Sequence, residues 1–229
     1  MIIGVIVEGA GEIDAIEQIL IKIKSDFDIR KTPLRADLQP KANPRVIARS
    51  ARSQVMLWKK RGVDCIVILI DREDHDCPVE FAKDLRIAFD DMYSGMEVEF
   101  RIVIKDKKIE NWLVADTEAL KKIPGRFEVS QKFERTVLGR ADGIGDAAAL
   151  INTATGKKRY HKGEDPALIC RHQDPLRASK NSRSYRKFLR ELGCSDYLLQ
   201  SKLPYDSPKA SPQQKQSVPA RRITTFEPR

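Results

Sequence analysis

Two strand-like runs in this chain end in carboxylates. Val5-Ile6-Val7 leads into Glu8, which is followed by the turn Gly9-Ala10-Gly11 and by Glu12. Val63 to Ile70, interrupted only by Asp64, leads into Asp71-Arg72-Glu73-Asp74-His75-Asp76. In open α/β sheets functional groups collect outside the carboxyl ends of the strands. If the two strands are neighbours, Glu8, Asp71 and Glu73 converge, and close carboxylates repel one another unless protons or a cation neutralise them. Mg²⁺ meets that need. It takes hard oxygen ligands at about 2.0–2.1 Å, is commonly held by one or two carboxylates, and keeps water and phosphate oxygens in its shell. The expected substrate is therefore a phosphodiester or phosphate ester. Plainer readings stand beside this one: Glu8 suits the N-terminus of the following helix, and an acidic run such as 71–76 is usually a solvated loop.

Other reactive residues lead to less. Gly9-x-Gly11 opens like a dinucleotide fingerprint, but Asp14 stands where a third small residue is needed, and Glu8 and Glu12 would repel a pyrophosphate. His75-x-Cys77 has no second pair at zinc spacing. Cys65, Cys77, Cys170 and Cys194 are unevenly spaced, without a C-x-x-C pair, and read as thiols of a reducing compartment.

The elements that must position the acids alternate in type. After the strand Ile2–Val7, Ile13, Ile16, Leu20 and Ile23 recur at helical spacing. Arg30 to Pro44 is polar, with room for one edge strand, and Val46, Ile47, Ala51, Val55 and Trp58 predict one helix stopped at Arg61-Gly62. The nearly continuous Val/Ile/Leu of 63–70 is the pattern of a parallel strand covered on both faces. Pro78 opens a helix carrying Phe81, Leu85, Ala88 and Phe89, and Val98, Phe100, Ile102 and Ile104 alternate as a further strand. This order predicts an α/β fold with a mostly parallel sheet flanked by helices. Short helices follow at 109–115, 118–123, 146–151, 166–172 and 184–192, giving a helical C-terminal extension. Three segments result: an α/β domain over 1–116, a basic helical extension over 117–203 packed on it, and a disordered tail over 204–229. The tail holds five of the twelve prolines.

Charge divides along the same lines. The net +9 of the 229 residues is −2 over 1–116, +8 over 117–203 and +3 over 204–229. Lys157-Lys158-Arg159, Lys162, Arg171, Arg177, Lys180, Arg183, Arg186, Lys187 and Arg190, interleaved with Tyr160, His161 and Tyr185, are candidates for contacting a nucleic-acid backbone. A solvated helical surface is the competing reading. Trp112, beside Leu113, reads as core rather than as a base-stacking platform. The longest apolar run is far short of the ~20 residues of a membrane span, and Met1 leads straight into a strand with no signal-peptide pattern. A cytoplasmic protein is expected.

The pairing of Val7-Glu8-Gly9 and Glu12 with Leu69-Ile70-Asp71-Arg72-Glu73 resembles the TOPRIM domain shared by topoisomerases, primases and nucleases of the overcoming-lysogenization-defect type. Glu110-Asn111-Trp112-Leu113-Val114-Ala115-Asp116 and Ser182-Arg183-Ser184-Tyr185-Arg186-Lys187-Phe188 are similar to a TOPRIM-like prokaryotic family whose members are often encoded beside an ABC-type ATPase in phage-defence or abortive-infection loci. The resemblance covers about residues 1 to 193. It implies a TOPRIM/Rossmann-like sheet and a nuclease using Mg²⁺ or Mn²⁺ on DNA or RNA. It also implies an ABC/OLD-type ATPase partner, and it leaves homo-oligomerisation open. Glu8 would be the general acid/base and Asp71 a metal ligand. Glu73 stands where the family has a second Asp, Glu12 and Glu110 are further ligand candidates, and Asp74 and Asp76 are alternatives in a shifted loop. A non-catalytic partner of the ATPase is the alternative, and a phosphotransferase or primase-like activity a third.

Overall fold

The computed structural model describes residues 1–197, and the structural statements below concern those residues. The boundary expected at 203 and the tail over 204–229 lie outside them. The described strands are Ile2–Val7 (β1), Asp28–Ile29 (β2), Leu34–Arg35 (β3), Cys65–Asp71 (β4) and Glu99–Lys105 (β5). Every pairing is parallel. β2 lies against the start of β1 and β3 against its end, while β4 runs along the other side of β1 and β5 beyond β4. The register pairs Val7 with Leu69 and Asp71 with Lys105. Glu8 therefore leaves the sheet level with Ile70, at the same edge as Asp71 and Lys105.

Strand alternation sends side chains to two cores. Ile3, Val5, Val7, Cys65, Val67, Leu69 and Val103 join one, and Ile6, Ile66, Ile68, Ile70, Phe100, Ile102 and Ile104 join the other. Both faces are covered, which is why β4 is apolar throughout. The helices are Ala10–Lys22 (α1), Pro44–Ser50 (α2), Arg52–Lys60 (α3), Pro78–Met92 (α4), Ile109–Val114 (α5), Thr117–Lys121 (α6), Gln131–Val137 (α7), Ala147–Thr153 (α8), Asp165–His172 (α9), Pro175–Asn181 (α10) and Arg183–Glu191 (α11). α2, α3 and α4 cover the second core. Trp58 of α3 lies so close to β1 that a Cβ on Gly4 would meet its ring at 2.7 Å, so only glycine fits there.

The first face is covered by α1, α5 and the extension, whose apolar residues belong to the same core as the sheet. The extension is built around Trp112, fully buried between Tyr185 and Phe188, with ring centroids 5.1 and 5.2 Å away. Its Nε1 donates to Ser184 Oγ at 2.7 Å. Asp142 then accepts from Ser182 Oγ at 2.6 Å and from Ser184 N at 2.8 Å. The Trp112 segment and the Ser182–Phe188 segment are thus two halves of one packing unit, and Trp112 is core as expected.

Three sequence expectations need correction. The helix read through 46–58 is two helices that break at Ala51 (φ −79°, ψ −5°). Short strand pairing begins before the expected edge strand, with Asp28–Ile29 on β1 ahead of Leu34–Arg35. Helices α7 and α10 were not expected. α7 starts where Ser130 Oγ accepts from Phe133 N, and α10 where Asp174 caps Leu176 N.

Candidate functional site

The carboxyl edge of the sheet brings Glu8, Glu12 and Asp71 around a lysine. Lys105, the last residue of β5, is fully buried, and its Nζ contacts Glu12 Oε1 and lies 2.9 Å from Asp71 Oδ1. Burial alone would lower this ammonium group, but the Asp71 and Glu12 carboxylates beside it outweigh that and hold it above the ordinary lysine range. Glu12 is occupied twice over, because its Oε2 also accepts from Glu8 N at 3.3 Å and Gly9 N at 3.4 Å. Those are orphan donors at the start of α1, so the capping role considered for Glu8 belongs to Glu12.

Glu8 is left for other work. Its Oε2 accepts one long bond, 3.4 Å, from Asp71 N. Burial pushes its carboxyl up to about 7, with Lys105 opposing and Asp71 reinforcing the shift. Asp71 is also raised, by burial first, against the pull of Lys105. Asp71 Oδ1 is buried, and the Lys105 ammonium is its close partner.

Glu73 joins from the loop after β4. With Glu8, Gln39, Pro40, Lys41 and Ala42 it lines a cavity of about 460 Å³, and its Oε1 pairs with Lys108 Nζ at 3.2 Å. Asp74 and Asp76 are exposed, and Asp74 pairs with Lys41 at 2.5 Å. His75 stacks on Phe81, ring centroids 3.6 Å apart, and its Nε2 lies 2.8 Å from the Pro40 carbonyl oxygen. Glu110, buried in α5, turns to the extension, where Tyr160 Oη donates to its Oε1 at 3.3 Å.

Seven of the basic candidates fall into two groups. Lys157, Lys158, Arg159 and Lys162 are exposed on one loop. That loop is pinned from below by Arg126, which donates to the Lys158 and Arg159 carbonyls and pairs with buried Asp165. It rests on the start of α1, where a Cβ on Gly11 would stand 2.6 Å from the Lys162 carbonyl oxygen. The loop therefore borders the acidic edge. On α11, Arg183 is exposed and its charge reaches Asp106, just past β5. Arg186 donates to the Ser179 carbonyl, and Lys187, partly exposed, pairs with Glu191 Oε1 at 2.6 Å.

A family model described as a domain of unknown function, DUF4276, matches residues 7–193. The chain belongs to the DUF4276 family. No curated protein and no solved structure matches it. The matched span starts one residue before Glu8 and ends two residues after α11, so it takes in both the acidic edge and the extension that covers the sheet.

Sequence reasoning missed Lys105, Lys108 and Lys41, the cations among these acids. The acids outnumber the two cations nearest them: Glu8, Glu12, Asp71 and Glu73 stand against Lys105 and Lys108. Among the described residues no group of three or more His, Cys, Asp or Glu side chains is gathered to hold a metal ion. The five expected ligands therefore form no closed cage. Mg²⁺ asks for less, one or two carboxylates with water and substrate oxygens completing its shell. Glu8 and Glu73, which line the open cavity, fit that demand, with Asp71 beside them.

Proposed function

We propose that this DUF4276 chain is a TOPRIM-like, metal-dependent nuclease that cleaves phosphodiester bonds of nucleic acid. The observation carrying this reading is the meeting of Glu8 and Asp71 at the carboxyl ends of adjacent parallel strands, beside an open cavity and an exposed basic loop. Asp71 and Glu73 would hold Mg²⁺ or Mn²⁺. Bound there, the cation supplies charge stabilisation for phosphoryl oxygens and a more acidic water. Glu8 takes the proton of the attacking water and returns it to the leaving oxygen, work suited to a carboxyl held near neutrality. Lys105 fixes Asp71 in place. Lys157, Lys158, Arg159 and Lys162 steer the strand toward the edge. As the resemblance suggests, the natural setting is an ATPase-paired antiphage or abortive-infection system, with the ATPase as partner.

Plasmid DNA incubated with the protein and Mg²⁺ or Mn²⁺ tests this. Wild type is expected to nick it, and Glu8→Gln and Asp71→Asn to nick about 100-fold or more slowly. Equal nicking by all three would remove both residues from the mechanism. One observation favours a second reading, a non-catalytic partner of the ATPase: Lys105 already supplies a cation between Glu12 and Asp71. Calorimetry with no Mg²⁺ or Mn²⁺ binding, together with stable co-purification with the ATPase, would select it.

A further inference from the structure

Lys41 stands across the cavity from the acids and has no part in the scheme above. It comes from the loop between β3 and α2, and its Nζ pairs with Asp74 Oδ2 at 2.5 Å. The two side chains are 66% and 80% exposed, so the pair is held in water and adds little to the fold. Its replacement by another anion is correspondingly easy. Glu73, on the same cavity, also acts on the Lys41 ammonium.

The backbone marks the same place. Among the described residues the non-glycine residues with positive φ are Gln39 (48°) and Glu73 (47°), and both line this cavity. Such conformations are kept where the surroundings dictate them, often at ligand sites. Behind them the His75–Pro40 contact joins the two loops, with His75 seated on Phe81. The loops are thus tied by the His75–Pro40 contact and by an exposed ion pair.

We propose that Lys41 is a substrate-phosphate contact: it rests on Asp74 and transfers to the backbone of a nucleic-acid strand that enters the cavity between residues 39–42 and Glu73. This rests on the reading of the edge as a phosphodiester site, since Glu8 and Glu73 would repel an anion without a divalent cation beside them. No covalent step is involved; one anion replaces another at the ammonium group.

The test is a double-mutant cycle read by binding. Fluorescein-labelled oligothymidylate is titrated against full-length wild type, Lys41→Ala, Asp74→Asn and the double variant, in Ca²⁺ and in EDTA, over a range of salt. Both positions are exposed, so the variants should fold, which unchanged melting would verify. In Ca²⁺, Lys41→Ala is expected to weaken binding about 3- to 10-fold and to reduce the salt slope by about 0.7, the loss of one single-strand phosphate contact. Asp74→Asn should tighten binding about 2- to 5-fold, and the gain should vanish in the double variant. An equal gain from Asp74→Asn with and without Lys41 would mean only that a negative charge had been removed, and would overturn the proposal, as would an unchanged Lys41→Ala. Lys41-dependent binding without any nicking by wild type would sink the nuclease reading and keep this one; nicking with a flat cycle would do the reverse.

Discussion

Asp71 and Asp142 are both carboxylates whose burial raises them above the usual range, and the molecule treats them in opposite ways. Asp142 is answered in full by Ser182 and Ser184, and through Ser184 it anchors Trp112. Asp71 has one ionic partner, the Lys105 ammonium, and other acids close by that raise it further. A buried carboxylate satisfied by neutral donors holds structure together, whereas one crowded by like charge gains from a cation. By that criterion the Asp142 network is scaffold, and Asp71, crowded by like charge, is the better placed of the two for chemistry.

The sharpest way to break the contrast is to move the two functions apart. Trp112→Ala should cost about 3–5 kcal/mol of stability, as for a large aromatic lost from a core. Any nicking per folded molecule should survive, and chemical denaturation run beside a plasmid assay reads both. Lys105→Met should be nearly as costly, about 3–5 kcal/mol, because it leaves Glu12 and Asp71 without their cation. Adding Glu12→Gln should return part of that loss, and strict additivity of the two would show that the lysine does not act through the pair.

Smaller effects separate satisfied from unsatisfied groups. Ser184→Ala removes the partner of Trp112 Nε1 and should cost about 1–2 kcal/mol, with no change in metal dependence. Glu8 should show itself through pH. Because its folded pKa is raised from 4.5 to about 7, the folded state binds the proton more tightly. The stability this contributes is fully present below about pH 4.5 and is lost as pH rises through about 7. Glu8→Gln should therefore melt higher than wild type at pH 8, relative to pH 5, in metal-free buffer. About 1 kcal/mol is expected, since solvent screens a half-exposed carboxyl. A parallel pH dependence in the two proteins would mean that Glu8 is not held near neutrality.

Much of this was legible in the sequence for local reasons. β1, β4 and β5 are runs of β-branched residues, and Glu8 and Asp71 stand where those runs stop. The break at Ala51 was not legible, because no Gly or Pro marks it and the apolar spacing carries through. α7 is too short for periodicity to declare itself, whereas the Asp174-Pro175 start of α10 is a readable signal. Lys105 was hidden more deeply. A lysine at a strand end reads as solvated, and its partner Glu12 lies 93 residues away. Alternation on β5 offered a clue, since 101, 103 and 105 share a face and Val103 on that face is core. The roles of Arg186 and Lys187 depend on neighbours that pattern alone does not supply.

The shared core has a practical meaning for anyone wishing to isolate the acidic edge. Cutting after residue 116 would leave α1 and α5 on that side of the sheet but strip α6–α11 from it, baring apolar surface of the shared core. Such a fragment would be a sticky half-sheet, prone to clump before any reaction could be assayed. The smallest unit worth grafting or expressing is the span from β1 through α11.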